Sequence, residues 1–201
     1  ESFLSYVSPM GIYETLYAFQ DAFGKTMGEM GTHPWSQGFP LTTQLPGGPE
    51  MPTNVYLDAE DLKYPKAWGL PALREAISSY YNHYYNAGID CENVMVFSGG
   101  RPGLMALLMF LQPDINIRIA STEYTPYYDM LHLLQRKYSL VDSHVDNHFF
   151  PSVLDYVNTG NFDRNLVMLS NPCNPTGVTK SGNELKELVE KASYGSFGLL
   201  I

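Results

Sequence analysis

From residue 92 onward the chain alternates short apolar runs with amphipathic stretches of helical length, and this alternation is the tightest constraint on its fold. The runs 94–97, 117–121, 140–144, 166–170 and 197–201 read as strands. Between them, residues 103–111, 126–137, 152–157 and 182–192 carry helical spacing; in the last of these Leu185, Leu188, Val189 and Ala192 share one face. Strand, helix, strand repeated four times predicts an α/β fold, a mostly parallel sheet with helices on both faces.

The region before it has a different rhythm. Ile12, Leu16, Phe19, Phe23 and Met27 recur at spacings of three and four, which predicts an amphipathic helix over residues 11–30. Residues 31–53 are rich in Gly, Pro and Thr and read as irregular chain. A second amphipathic helix follows, with Pro71 in its first turn and Leu73, Ile77, Tyr80, Tyr81 and Tyr84 on its apolar face. The expected organisation is an N-terminal helix and arm over residues 1–53, then the first part of a larger domain over 54–201.

Charge excludes some partners. Twelve Lys+Arg against 21 Asp+Glu give a formal net charge of -9, whereas nucleic acids and anionic membranes are bound by clustered positive charge. A small-molecule substrate is expected instead, with no nucleic acid and no membrane. Cys91 and Cys173 lie far apart, outside any C-x-x-C or Cys/His metal spacing, so neither a disulfide framework nor a metal site is expected. So few and so widely spaced cysteines suit a reducing cytoplasm, the expected compartment; no apolar run has the length of a membrane span, and the first residues lack a basic signal region.

Directly after the apolar run Leu166-Val167-Met168-Leu169 comes Asn171-Pro172-Cys173-Asn174-Pro175-Thr176-Gly177. Two Asn-Pro pairs and a terminal Gly at the carboxyl end of a buried strand make a rigid turn, placed where α/β proteins bind ligands. The heptapeptide resembles the Asn-Pro-x-Asn-Pro-Thr-Gly signature of class I/II aminotransferases, enzymes of fold type I that use pyridoxal 5'-phosphate (PLP). Similarity to that family extends from about residue 36 to the end of the chain and corresponds to its N-terminal half.

The resemblance assigns roles. Asn174 would donate to the phenolic oxygen of the cofactor ring and line the substrate side. Ser98-Gly99-Gly100-Arg101, after the run 94–97 and at the start of a helix, is similar to the family's phosphate-binding turn. Glycines let a backbone approach an anion, and the free N–H groups of a helix start bind phosphate. Here the sequence departs from the pattern: Pro102 removes one N–H, and the Arg101 guanidinium is the group that would pair with the phosphate in its place. Thr122-Glu123-Tyr124-Thr125-Pro126 is similar to the family's aromatic segment, so Tyr124 would stack on the pyridine ring. Tyr64, opening Tyr-Pro-Lys-Ala-Trp-Gly-Leu-Pro, matches a tyrosine that reaches a partner's cofactor phosphate, which implies a homodimer. Gly69, Leu73 and Arg74 read as structural, and Gly38 would line the substrate pocket.

The resemblance also implies what the 201 residues lack. The family's Schiff-base lysine and its pyridine-nitrogen aspartate are expected beyond Ile201, so this chain holds no catalytic residue of its own and is expected to be inactive alone. Lys180 lies nearest the motif, but at the start of a covering helix. The implied activity of the whole protein is amino transfer between an amino acid and a 2-oxo acid. Other fold type I chemistry, a carbon-sulfur lyase or an aminocyclopropane-carboxylate synthase, or a non-catalytic PLP-binding module, would carry the same cofactor motifs.

Overall fold

The computed structural model describes residues 3–4, 11–33, 46–158, 164–195 and 197–201. The chain divides into two compact units, one of residues 1–32 with 107–201 and one of residues 33–106.

The first unit is built on a four-stranded, wholly parallel sheet of β1 (Asn116–Ala120), β2 (Tyr138–Val141), β3 (Asn165–Met168) and β4 (Gly198–Leu200), in the order β2-β1-β3-β4. Every residue of β1 and β3 is buried, so both faces of the central strands are covered. The outer strands β2 and β4 are only partly buried. Between the strands run α4 (Thr125–Leu133), α5 (Val153–Val157) and α6 (Gly182–Ser193). Ala120, Val141, Val153, Tyr156, Val167, Leu169, Leu188 and Phe197 form a core cluster against which Val157, Ala192 and Leu199 pack. At the opposite end of the ladder Asn116 donates to Asn165 and to Ser139 at 3.0 Å each, a polar rung that fixes register across three strands.

The local starts follow from capping chemistry. Ser152 and Asp155 form a reciprocal capping box on α5. Helix α1 (Gly11–Phe23) half-buries Ile12, Leu16 and Phe19, but it stops well before residue 30. Gly24 takes a left-handed φ of 63° and donates its N–H to the Gln20 carbonyl at 2.8 Å, closing the last turn. Periodicity carries no warning of such a stop.

The second unit holds α2 (Pro71–Tyr85), with Pro71 in the first turn and left-handed Asn86 as its C-cap. Arg74 is its buried anchor: Nε donates to the Val94 carbonyl at 2.8 Å and Nη2 to the Cys91 carbonyl at 2.6 Å. The run 94–97 is therefore no strand of the sheet. Val94 has extended dihedrals, yet its carbonyl is taken by Arg74, and the Val96 N–H goes to the Trp68 carbonyl at 2.9 Å. The strand expected at 140–144 is likewise displaced to Tyr138–Val141, because the hydroxyls of Ser121 and Thr122 take the Ser143 carbonyl where a ladder would have continued.

Two substitutions test this packing. Leu188 is fully buried on α6, and Leu188→Ala should cost about 2 to 5 kcal/mol in urea unfolding. Gly69 sits at φ 105°, and an added Cβ would lie 2.8 Å from Val96 Cβ. Gly69→Ala should cost about 1 to 3 kcal/mol in the same measurement, through backbone strain and clash together.

Candidate functional site

The sheet order places a topological switch between β1 and β3: the chain leaves β1 toward β2 on one side and returns to β3 on the other. The loops beyond the carboxyl ends of these two strands, 121–124 and 169–177, flank the crevice that such a reversal opens. Both motifs singled out from the sequence of this unit lie there.

Buried polar contacts tie the loops together. Glu123 is 4% exposed. Its carboxylate accepts the N–H of Tyr124 at 2.9 Å, the N–H of Ser170 at 3.1 Å and the Ser170 hydroxyl. The Ser170 oxygen in turn accepts the N–H of Asn174 at 2.9 Å. Burial pushes the Glu123 carboxyl above its ordinary range, against the opposing pull of these donors. Cys173 Sγ lies 3.6 Å from the Thr122 carbonyl, a further contact across the crevice.

The heptapeptide holds its shape by its own hydrogen bonds. Asn171 exchanges a pair with the Lys180 backbone: its amide donates to the carbonyl at 2.9 Å and accepts the N–H at 2.8 Å. Cys173 N–H donates to the Val178 carbonyl at 2.8 Å, and Gly177 N–H to the Cys173 carbonyl at 2.7 Å with Gly177 at φ 73°. The Asn171–Pro172 and Asn174–Pro175 bonds are cis. The first asparagine is thus committed to the turn. The second, Asn174, is exposed, and its side-chain amide has no hydrogen-bond partner among the described residues.

Tyr124 forms the N-cap of α4 and is half-buried, with the Tyr127 ring edge-on at 5.3 Å. Burial raises the phenols of Tyr127 and Tyr128 to about 12, so both stay neutral donors; Tyr128 gives its hydroxyl to the Ala120 carbonyl at 2.7 Å. Lys180 is buried, its Nζ donating to the Pro151 carbonyl at 2.6 Å and to Glu184 at 3.0 Å, 3.8 Å from the Phe150 ring centroid. A recess of about 20 Å³ lined by Glu123, Tyr156, Ser170, Cys173 and Lys180 has room for about one water.

The second unit presents the glycine turn. Gly99 adopts φ 94°, α3 (Gly100–Phe110) begins at the next residue, and a Cβ on Gly100 would meet no atom within 4 Å, so the backbone is open to approach. Ser98 is exposed, as are Gly100 and Arg101. Pro102 falls among the first four residues of α3, whose N–H groups have no intrahelical acceptor. Tyr64 is fully exposed. Gly38 lies outside the described residues. Among the described residues there is no cluster of three His, Cys, Asp or Glu side chains able to hold a metal, and no helix is long and apolar enough to cross a membrane.

Sequence reasoning missed Glu123 and Ser170. A lone glutamate between Thr122 and Tyr124 looks like a solvated loop charge, and only the fold that brings Ser170 to it makes it a buried node.

The family model of class I and II aminotransferases matches residues 48–197. An aspartate aminotransferase of Sulfolobus acidocaldarius is 28% identical over 157 residues, covering 73% of this chain and 39% of the relative. An asparagine–oxo-acid transaminase of Streptococcus mutans is 26% identical over 126 residues, covering 62% of this chain and 32% of the relative. The chain therefore spans well under half the length of these curated relatives. Aspartate aminotransferase from Thermus thermophilus with maleate has the same fold, with a TM-score of 0.60 at 24% identity over 68% of this chain and 36% of that one. Members of the matched family are in general PLP-dependent. With the match running from residue 48 to residue 197, this chain belongs to the class I and II aminotransferases.

Proposed function

We propose that this chain is part of a PLP-dependent aminotransferase that moves an amino group between an amino acid and a 2-oxo acid. The observation that carries the reading is the switch-point crevice between β1 and β3, where one asparagine of the motif locks the turn and the other leaves its amide free. The residues present fit the cofactor. An exposed amide donor suits a phenolic oxygen, a half-buried aromatic suits a heterocycle, and an unobstructed glycine at a helix start suits a phosphate. PLP, when bound, supplies an electron-withdrawing ring that stabilises negative charge at the substrate's Cα.

The chain's own groups then divide the work. Gly100 and Arg101 offer backbone N–H groups and Ser98 a hydroxyl to the phosphate, and the Arg101 guanidinium adds charge where Pro102 has removed a donor. Tyr124 covers one ring face and limits tilt. Asn174 donates to the phenolic oxygen and so favours its ionised form. Tyr64 would reach the phosphate bound by a second copy, which makes the working unit a homodimer. Gly38 is assigned to the substrate side. The Schiff-base lysine and the pyridine-nitrogen aspartate are assigned to sequence beyond Ile201, and the cytoplasm is the proposed compartment.

The deciding experiment offers the full-length protein PLP, 2-oxoglutarate and a panel of L-amino acids, with glutamate formation measured. Transfer from at least one donor other than glutamate is expected, and absence of transfer from every such donor would end the reading. Asn174→Ala should weaken PLP binding about tenfold, the loss of one hydrogen bond to a charged group, and lower the fraction of bound cofactor ionised at its phenolic oxygen at a given pH. Tyr64→Phe should weaken PLP retention about three- to tenfold; unchanged retention would remove Tyr64 from the phosphate site.

A further inference from the structure

We propose that Glu123 is a positioning residue for the cofactor, a buried carboxylate that links Tyr124 on the ring face to Asn174 at the phenolic oxygen through Ser170. This rests on the reading that Tyr124 and Asn174 hold PLP. The link is continuous on the atoms. Tyr124 N–H donates to Glu123 Oε1 at 2.9 Å, Ser170 donates to both carboxylate oxygens by N–H and hydroxyl, and Asn174 N–H donates to Ser170 Oγ at 2.9 Å. It spans two crossover loops 47 residues apart in sequence.

Three donors converging on one side chain require three acceptor sites. An ionised carboxylate has about four such sites, an amide oxygen two. Placing a carboxyl in a 4% exposed site is costly unless its hydrogen bonds compensate. Burial does raise this carboxyl, so the site keeps it against a desolvation cost. A hydrophobic side chain there would leave two backbone N–H groups of the cofactor loops without acceptors. Because Glu123 grips backbone at Tyr124 and at Ser170, its action reaches the ring through other residues and not by contact. The titratable groups around it are Tyr127 and Tyr128 of α4, Tyr156 of α5, Cys173 and Lys180. Burial raises both Tyr127 and Tyr128 to about 12.

The test uses the full-length protein and two readouts besides turnover: the dissociation constant for PLP by equilibrium dialysis, and the pH midpoint of the bound cofactor's visible absorbance. Glu123→Ala should raise the dissociation constant about tenfold, and Glu123→Gln and Ser170→Ala about threefold each, because each of these leaves part of the network in place. All three should move the absorbance midpoint in the direction Asn174→Ala moves it. In an Asn174→Ala background Glu123→Gln should shift the midpoint no further, since its route to the phenolic oxygen is already cut. A purely structural residue would lower the unfolding midpoint and leave the absorbance midpoint where it was.

If Glu123→Ala does not fold, Glu123→Gln and Ser170→Ala decide the matter. Wild-type dissociation constant and midpoint in folded Glu123→Gln and Ser170→Ala, with Asn174→Ala still impaired, would overturn the positioning role and leave the cofactor reading standing. Failure of the wild-type protein to bind PLP at all would overturn both.

Discussion

The architecture depends on β1, one of the two strands hydrogen-bonded on both sides and the one beside which the winding reverses. It pairs in parallel with β2 on one edge and β3 on the other, and all five of its residues are buried. Such a strand can exist only when helices cover both faces. Since its two neighbours follow it in the chain, the direction of winding must reverse beside it. The crevice, and with it the convergence of the two loops, is a consequence of that reversal and of strand polarity. No residue in the loops has to create the concavity.

What the loops add is rigidity, through a division of tasks among chemically similar groups. Asn171 and Asn174 differ by three positions and have the same side chain, yet one is tied to the Lys180 backbone by a reciprocal pair and the other is left outward. Glu123 provides the tie between loops. A hydrogen-bonded buried network of this kind holds geometry because each member would be costly to leave unpaired.

Most of the sheet and its helices was legible in the sequence because burial on both faces leaves unbroken apolar runs, as in Leu166 to Leu169, and because cover helices carry stripes, as in α6. The parts that were not legible have specific causes. Residues 94–97 have the composition of a strand, but Arg74 and Trp68 take their backbone groups, and no local pattern announces a partner that distant. The end of α1 turns on one left-handed glycine. In the loops beside the crevice, Tyr124 and Asn174 could be singled out because motifs carry them, whereas Glu123 and Ser170 could not, because their burial and bonding depend on which loops meet.

Lys180 shows how the same packing settles a question of reactivity. Its ammonium group is held by a carbonyl, a carboxylate and the faces of Phe150 and Tyr156. A side chain held at so many points has little freedom to swing away from them. The cation closest in sequence to the motif therefore serves as a clasp that joins the start of α6 to the Pro151 turn, a structural task carried by a side chain of the kind most often read as reactive.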